Sequence, residues 1–239
     1  MKKLFTVMSS VAIIAILFAS CNSPESDPYI YYDAFYTTRN VGEGVGYADY
    51  YQSFAVSSTS SMSGVSVSGT GLLQKENLEA QNSAKNYYKK EISAIRPTVS
   101  ETYTFNISMS DGDTYQKYDL VSADNLVDPA IINRSTLTTS SDTIFVEWDT
   151  IPNNNRDYFN ISLEKDSSLY FNFDNGYAIP DTTTQCNIST KSPFWKQEGG
   201  LIPSGDYLLT LYTYKLAAAQ SGGTGINCIG MDTMTISIP

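Results

Sequence analysis

Histidine is absent from the 239 residues, which removes at once the commonest general base and the commonest transition-metal ligand. Cysteine occurs only three times, too seldom for a disulfide-dense scaffold. Basic residues are scarce: 15 Lys and Arg stand against 25 Asp and Glu, a net charge of −10. A surface this acidic repels phosphate backbones and anionic headgroups, so nucleic-acid binding and electrostatic membrane adhesion are disfavoured. Past the N-terminus no stretch approaches the ~18 consecutive apolar residues of a transmembrane helix.

The absences extend to reactive groups. Serine is plentiful, but without histidine no Ser-His pair exists, and no Ser-x-x-Lys opens a plausible helix. The glycine-rich run Gly42-Glu43-Gly44-Val45-Gly46 lacks the Lys-Ser/Thr of a P-loop and reads as loop glycines. Asp111-Gly112-Asp113 lacks the further carboxylates of a calcium loop and reads as a turn. Glu43, Asp49, Glu147, Asp149 and Glu164 are available for glycosidase work, yet nothing in the sequence pairs any two. The expectation is a chain with no catalytic residue, metal site or cofactor, and therefore not an enzyme.

What the chain has begins at its start. Met1-Lys2-Lys3 leads into an apolar run from Leu4 to Phe18, followed by Ala19-Ser20-Cys21. A basic start, about fifteen mostly apolar residues and a small-residue step make a secretory signal peptide over residues 1–20. The cysteine placed directly after the small pair resembles the lipobox of bacterial lipoproteins, with Phe18 where that family usually carries Leu. That resemblance implies a diacylglycerol on the Cys21 thiol and Cys21 as the first residue of the mature chain. Loss of Lys2 and Lys3 leaves 13 basic against 25 acidic residues, a net of −12. Residues 21–28, polar and without period, form the lipidated tether. Glu25 and Asp27 resemble the short acidic signal that sends some lipoproteins to the outer face of the outer membrane; a plain solvated linker explains them as well. The expected location is the outer membrane of a Gram-negative bacterium, lipid-anchored and exposed at the cell surface.

With Cys21 assigned to lipid, Cys186 and Cys228 remain in a compartment where disulfides persist. Paired, they close a loop of about 43 residues, worth roughly 4 kcal/mol in the chain-entropy model. The other reading is two free, buried, small hydrophobes.

From Tyr29 onward the residues are strand formers in alternation. Tyr29 to Tyr36, Tyr50 to Ser58 and Val65 to Leu73 are the first runs. Thr102 to Met109 places Tyr103, Phe105, Ile107 and Met109 on one face, and the Asp111-Gly112 turn returns the chain through Thr114 to Val121. Leu72 to Ile92 is rich in helix-favouring residues, but Tyr88, Lys90, Ile92 and Ala94 alternate into Pro97, so loop then strand is preferred and a short helix stays open. The Asx- and Ser/Thr-rich stretch around Pro129 marks a boundary. The domains expected are an N-terminal β-sandwich over 29–125 and a C-terminal one over 130–239.

The second half carries the sharper pattern. Val146-Glu147-Trp148, then Pro152 and Tyr158, resemble the second and third strands of a fibronectin type III domain. Leu201-Ile202-Pro203-Ser204-Gly205-Asp206-Tyr207 is similar to that family's Leu-x-Pro-x-x-x-Tyr approach to its sixth strand. The resemblance implies that Trp148 is the core tryptophan and that the Tyr207 hydroxyl bonds back to nearby backbone. The fold class implied is all-β, two tandem immunoglobulin- or fibronectin type III-like sandwiches, the first a divergent cousin.

Eighteen tyrosines and ten phenylalanines exceed what two small cores need. Tyr212 and Tyr214 fall on the strand face opposite Tyr207, Leu209 and Leu211, where they are either ligand-stacking rings or ordinary strand tyrosines. Asp142-Thr143-Ile144, Asp149-Thr150-Ile151, Asp181-Thr182-Thr183 and Asp232-Thr233-Met234 resemble acceptor sequences for bacterial O-glycosylation, and equally resemble turn chemistry. The function expected is a surface lipoprotein that binds a glycan or protein partner; the alternative is an accessory subunit of an envelope complex.

Overall fold

Alternating inward and outward residues let one strand serve a core with half its side chains, and nearly every segment of this chain does so. The computed structural model describes residues 27–42, 48–134, 136–140, 142–149, 156–173, 178–189, 192–195, 202–217 and 225–239. The signal segment, Cys21, most of the tether, residues 43–47, the turn at Pro152 and Leu201 lie outside the described residues.

The first half supplies β1 (Ile30–Asn40), β2 (Ala48–Ser58), β3 (Met62–Gly69), β4 (Glu76–Asn77), β5 (Glu79–Ala80), β6 (Tyr87–Ala94), β7 (Glu101–Met109) and β8 (Thr114–Val121). A 3-10 turn at Ala123–Asn125 leads into the second half. There follow β9 (Ile131–Ile132), β10 (Thr138–Thr139), β11 (Thr143–Asp149), β12 (Tyr158–Lys165), β13 (Ser168–Asn172), β14 (Ile179–Pro180), β15 (Gln185–Ser189), β16 (Gly205–Leu216) and β17 (Ile226–Ile238). Among the described residues there is no α-helix, so the 72–92 segment is loop and short bridges followed by strand, despite its helix-favouring composition.

The protein is all-β, built of sandwich-like packed sheets. Its first core joins even-numbered residues of β1 and β2 (Tyr32, Ala34, Tyr36, Phe54, Val56) to Tyr103, Phe105, Ile107 and Met109 of β7. The second joins Trp148 and Val146 of β11 to Phe159, Ile161 and Leu163 of β12 and to Tyr207, Leu209 and Leu211 of β16. Each smaller sheet, β4-β3-β7-β8 in the first half and β10-β11-β15 with β9 in the second, supplies one wall.

The opposite wall is shared. β1 pairs in parallel with β17, Tyr36 beside Cys228 and Arg39 beside Met231. This joint fuses the two halves into one nine-stranded sheet ordered β13-β12-β16-β17-β1-β2-β6-β5, with β14 on β12. On β17 the even-numbered face serves both cores: Cys228 in the first, Ile236 and Ile238 in the second. No sequence pattern announced this parallel pairing, because strand alternation says which face is buried and not which neighbour lies alongside.

The connecting segment is stitched onto that seam. Thr38 Oγ1 donates to the Val127 carbonyl at 2.9 Å, Ala130 N donates to Thr213 Oγ1 at 3.0 Å, and Ile132 N donates to Asp232 Oδ2 at 2.8 Å. Gly230 is needed there: a Cβ on it would stand 2.8 Å from Pro129 Cα.

Candidate functional site

The first core ends in a polar cluster. Tyr36 on β1 and Gln52 on β2 are register partners, and both face inward. Glu101 shares the inward face of β7 with Tyr103, so its carboxylate meets them from the opposite sheet. Tyr36 donates its hydroxyl to Glu101 Oε2 at 2.8 Å, and Tyr103 donates to the same oxygen. Gln52 Nε2 lies 3.0 Å from the Tyr103 hydroxyl and donates to the Gly71 carbonyl at 2.9 Å. Gly71 permits this closeness, since a Cβ there would fall 2.6 Å from Gln52 Nε2. Burial holds the Tyr103 hydroxyl far above the usual phenol range, and its bond to Glu101 adds to the shift. Burial does the same to Tyr36, partly offset by the hydrogen bond from Gln52. These phenols therefore act as neutral donors that fix the Glu101 carboxylate.

Above the cluster opens a cleft of about 720 Å³ between the loop at residues 70–75 and the loop at residues 95–100. Its rim is apolar and uncovered: Leu73 is fully exposed, Ile95 87% and Val99 67%. Ile92 and Ala94 of β6 line one wall and pack against the first core. Three large apolar side chains held in water around one concave, polar-floored cleft are the usual makings of a binding site. Glu76, on the same cleft, bonds Lys90 Nζ at 2.8 Å, and that bond is the leading cause of its lowered carboxyl pKa. Arg96 at the rim lies 3.6 Å from Asp128 and donates to the Tyr50 hydroxyl at 3.1 Å. Burial, with the Asp128 charge beside it, pushes Tyr50 up to about 12.

Tyr212 and Tyr214 stand elsewhere, on the face of the long sheet turned away from both cores. Tyr214 is taken up by its neighbour: it stacks on Tyr158 with ring centres 4.6 Å apart and planes within 11°. Tyr212 stays half-buried, 3.3 Å from Ser162 Oγ, and borders a hollow of about 400 Å³ that Arg39 and Tyr51 also line. Arg39 covers the Tyr51 ring at 4.6 Å.

Of the two readings open for Cys186 and Cys228, the structure has the second: both thiols are free. Cys186, on β15, packs against the second core, whereas Cys228, on β17, is buried in the first. Two strands of different walls hold them to separate cores. Burial raises Cys186 to about 11 and Cys228 to about 12. Among the described residues no cluster of three or more Cys, Asp or Glu has the placement to hold a metal ion. Of the Asp-Thr sequences, Asp232 is a seam residue, 2% exposed.

The cleft residues escaped the sequence reading. Glu101 precedes Tyr103 by two and so shares its face, and Ile95 and Val99 bracket Pro97 as apolar residues in a loop; both signals were legible but lacked a partner. Gln52, five per cent exposed on a tyrosine-rich strand, gave none.

No family model and no curated protein matches this chain. Among solved structures it is similar to the crystal structure of chicken CNTN1 FN1-FN3 domains, at 10% identity and a TM-score of 0.31. The match covers 86% of this chain, which spans 66% of that one. At that degree of likeness the strand pairing, not the neighbour, defines the fold.

Proposed function

We propose that this chain is a non-catalytic surface lipoprotein, anchored through Cys21, that binds a protein or glycan partner in the cleft at the end of its first core. The observation that carries the reading is the apolar rim of Leu73, Ile95 and Val99 around the fixed Glu101 carboxylate. Exposed apolar groups cost solubility, and a concave patch of them is retained where a partner covers it. An acidic chain without histidine supports a binding role over catalysis and over nucleic acid.

Glycan arrays and pull-downs against envelope proteins, run with wild type and Val99→Asp, test this. Binding that Val99→Asp abolishes is expected. Silence on both, with an envelope protein that co-purifies regardless of Val99, favours the accessory-subunit alternative. The hollow beside Tyr212 supports a second, stacking site for a sugar face, and loss of a glycan signal in Tyr212→Ala but not in Val99→Asp would select it. Palmitate labelling of wild type and Cys21→Ala tests the anchor: label in the first and none in the second is expected.

A further inference from the structure

The cleft exists because one strand stops short. β2 and β6 pair along the whole of β6, from Ser57 beside Tyr87 to Tyr50 beside Ala94. On the other side β5 pairs only Glu79 with Lys89 and Ala80 with Tyr88. Just before β5 the chain lies on the opposite sheet, where Glu76 and Asn77 pair with β3, and it crosses over at the buried Leu78. Residues 91–94 of β6 have no ladder partner on that side among the described residues. Backbone alternation fixes which groups are left over. The Asn86 carbonyl accepts from Ser58 on β2, while the Tyr87 carbonyl accepts from Gln81 on the far side. Odd-numbered residues therefore point outward, leaving the N–H and C=O of Glu91 and Ser93 at the open edge.

Exposed sheet edges are normally blunted by lysine, proline or a bulge. Here Lys89, Lys90 and Pro97 flank the open stretch, while residues 91–94 contain neither lysine nor proline, and their pairing with β2 runs without a register shift. The Glu91 side chain is engaged on the outer face by Arg39 at 2.6 Å. A strand laid along this edge in line with β5 would send alternate side chains inward, opposite Ile92 and Ala94, into the cleft. Charge chooses among such strands. Glu76 is paired with Lys90 and Arg96 with Asp128, whereas among the described residues no cation bonds Glu101.

We infer that the ligand is an extended polypeptide segment that adds to the β6 edge as a strand, with an apolar and a basic side chain alternating into the cleft and the basic one meeting Glu101. Main-chain bonds to Glu91 and Ser93 supply affinity, and the two inward side chains supply selection. This deepens the binding-module reading and rests on it.

The probe is the peptide acetyl-Thr-Val-Thr-Lys-Thr-Val-Thr-Lys-amide, beside the same peptide with Glu for Lys, titrated into the whole protein. Expected are slowed hydrogen exchange at the Glu91 and Ser93 amides and preference for the lysine peptide. Weakening of at least about tenfold is expected in Ser93→Pro, which deletes only an outward N–H. Glu101→Gln should erase the preference between the two peptides. Unchanged far-UV dichroism certifies the folding of each variant. Absence of protection at Glu91 and Ser93 at millimolar peptide overturns the inference, as does binding indifferent to Ser93→Pro. A glycan or protein signal lost in Val99→Asp but kept in Ser93→Pro would overturn strand addition while leaving the binding module standing. Absence of any glycan, protein or peptide signal in the wild type would remove both.

Discussion

Asn227 holds the backbone of Ser122 in a two-way grip: Ser122 N donates to Asn227 Oδ1 at 2.7 Å, and Asn227 Nδ2 donates back to the Ser122 carbonyl at 3.0 Å. The same Nδ2 lies 2.8 Å from the Asn125 carbonyl. An amide side chain thus imitates a strand partner at the one place where the connector leaves β8 and has no ladder of its own. Asn227 is 1% exposed, so water cannot replace it. Asn227→Ala should cost about 3 kcal/mol, the sum of orphaned backbone groups in a dry site, read as a lowered urea midpoint. A loss under about 0.5 kcal/mol would mean the seam is solvated.

The shared wall makes an equilibrium prediction. Independent tandem domains unfold in two transitions, but β17 belongs to both cores here. Both tryptophans, Trp148 and Trp195, lie in the second half, so their emission reports that half alone, while far-UV dichroism reports both. The two urea curves should coincide. Gly230→Ala, which forces a Cβ to within 2.8 Å of Pro129 Cα, should lower both midpoints together by roughly 1–3 kcal/mol of overpacking. Curves that separate in the wild type would show that the β1–β17 pairing is too weak to couple the halves.

Particular residues show what the sequence could say. Trp148 is the buried tryptophan of the second core, and Tyr207 donates its hydroxyl to the Pro203 carbonyl at 2.8 Å; both are what the resemblance to fibronectin type III strands implied. Strand faces were legible from alternation alone, as Tyr103, Phe105, Ile107 and Met109 demonstrate. The parallel β1–β17 joint and the open edge of β6 were not, because each depends on which segments become neighbours across the fold. The choice between paired and free Cys186 and Cys228 stayed open on the same ground: composition counted two thiols, and topology placed them on different cores.

The free thiols are directly countable. In a Cys21→Ser chain never exposed to reductant, two thiols should react with a chromogenic disulfide reagent after denaturation, and nearly none before. Burial raises both groups, to about 11 and about 12, so the reactive thiolate is scarce near neutral pH. A count of zero after denaturation would establish a disulfide and require the strands bearing Cys186 and Cys228 to move together. Both thiols favour the neutral form when folded, so stability should fall as pH rises from the ordinary 9.0 toward those raised values.

Asp119 gives the opposite end of the pH scale a test. Its Oδ2 accepts from Ala34 N at 2.7 Å, closing the part of β1 that β17 does not reach, and its Oδ1 accepts from Leu120 N at 2.8 Å. Burial raises its carboxyl above the ordinary 3.8, opposed by those two backbone bonds and by a hydrogen bond with the Asp33 side chain. A raised folded pKa means the native state holds the proton more tightly than the unfolded chain. The stabilisation it contributes is complete below about 3.8 and declines as pH climbs through the folded value. Asp119→Asn keeps an acceptor for Ala34 N and carries no charge, so its urea midpoint should gain on the wild type as pH rises above the ordinary 3.8. Asp119→Ala strands the Ala34 N–H and should lose about 1–3 kcal/mol at every pH. Parallel wild-type and Asp119→Asn profiles would show that the carboxylate is ionised throughout, paired on its backbone donors strongly enough to outweigh its burial.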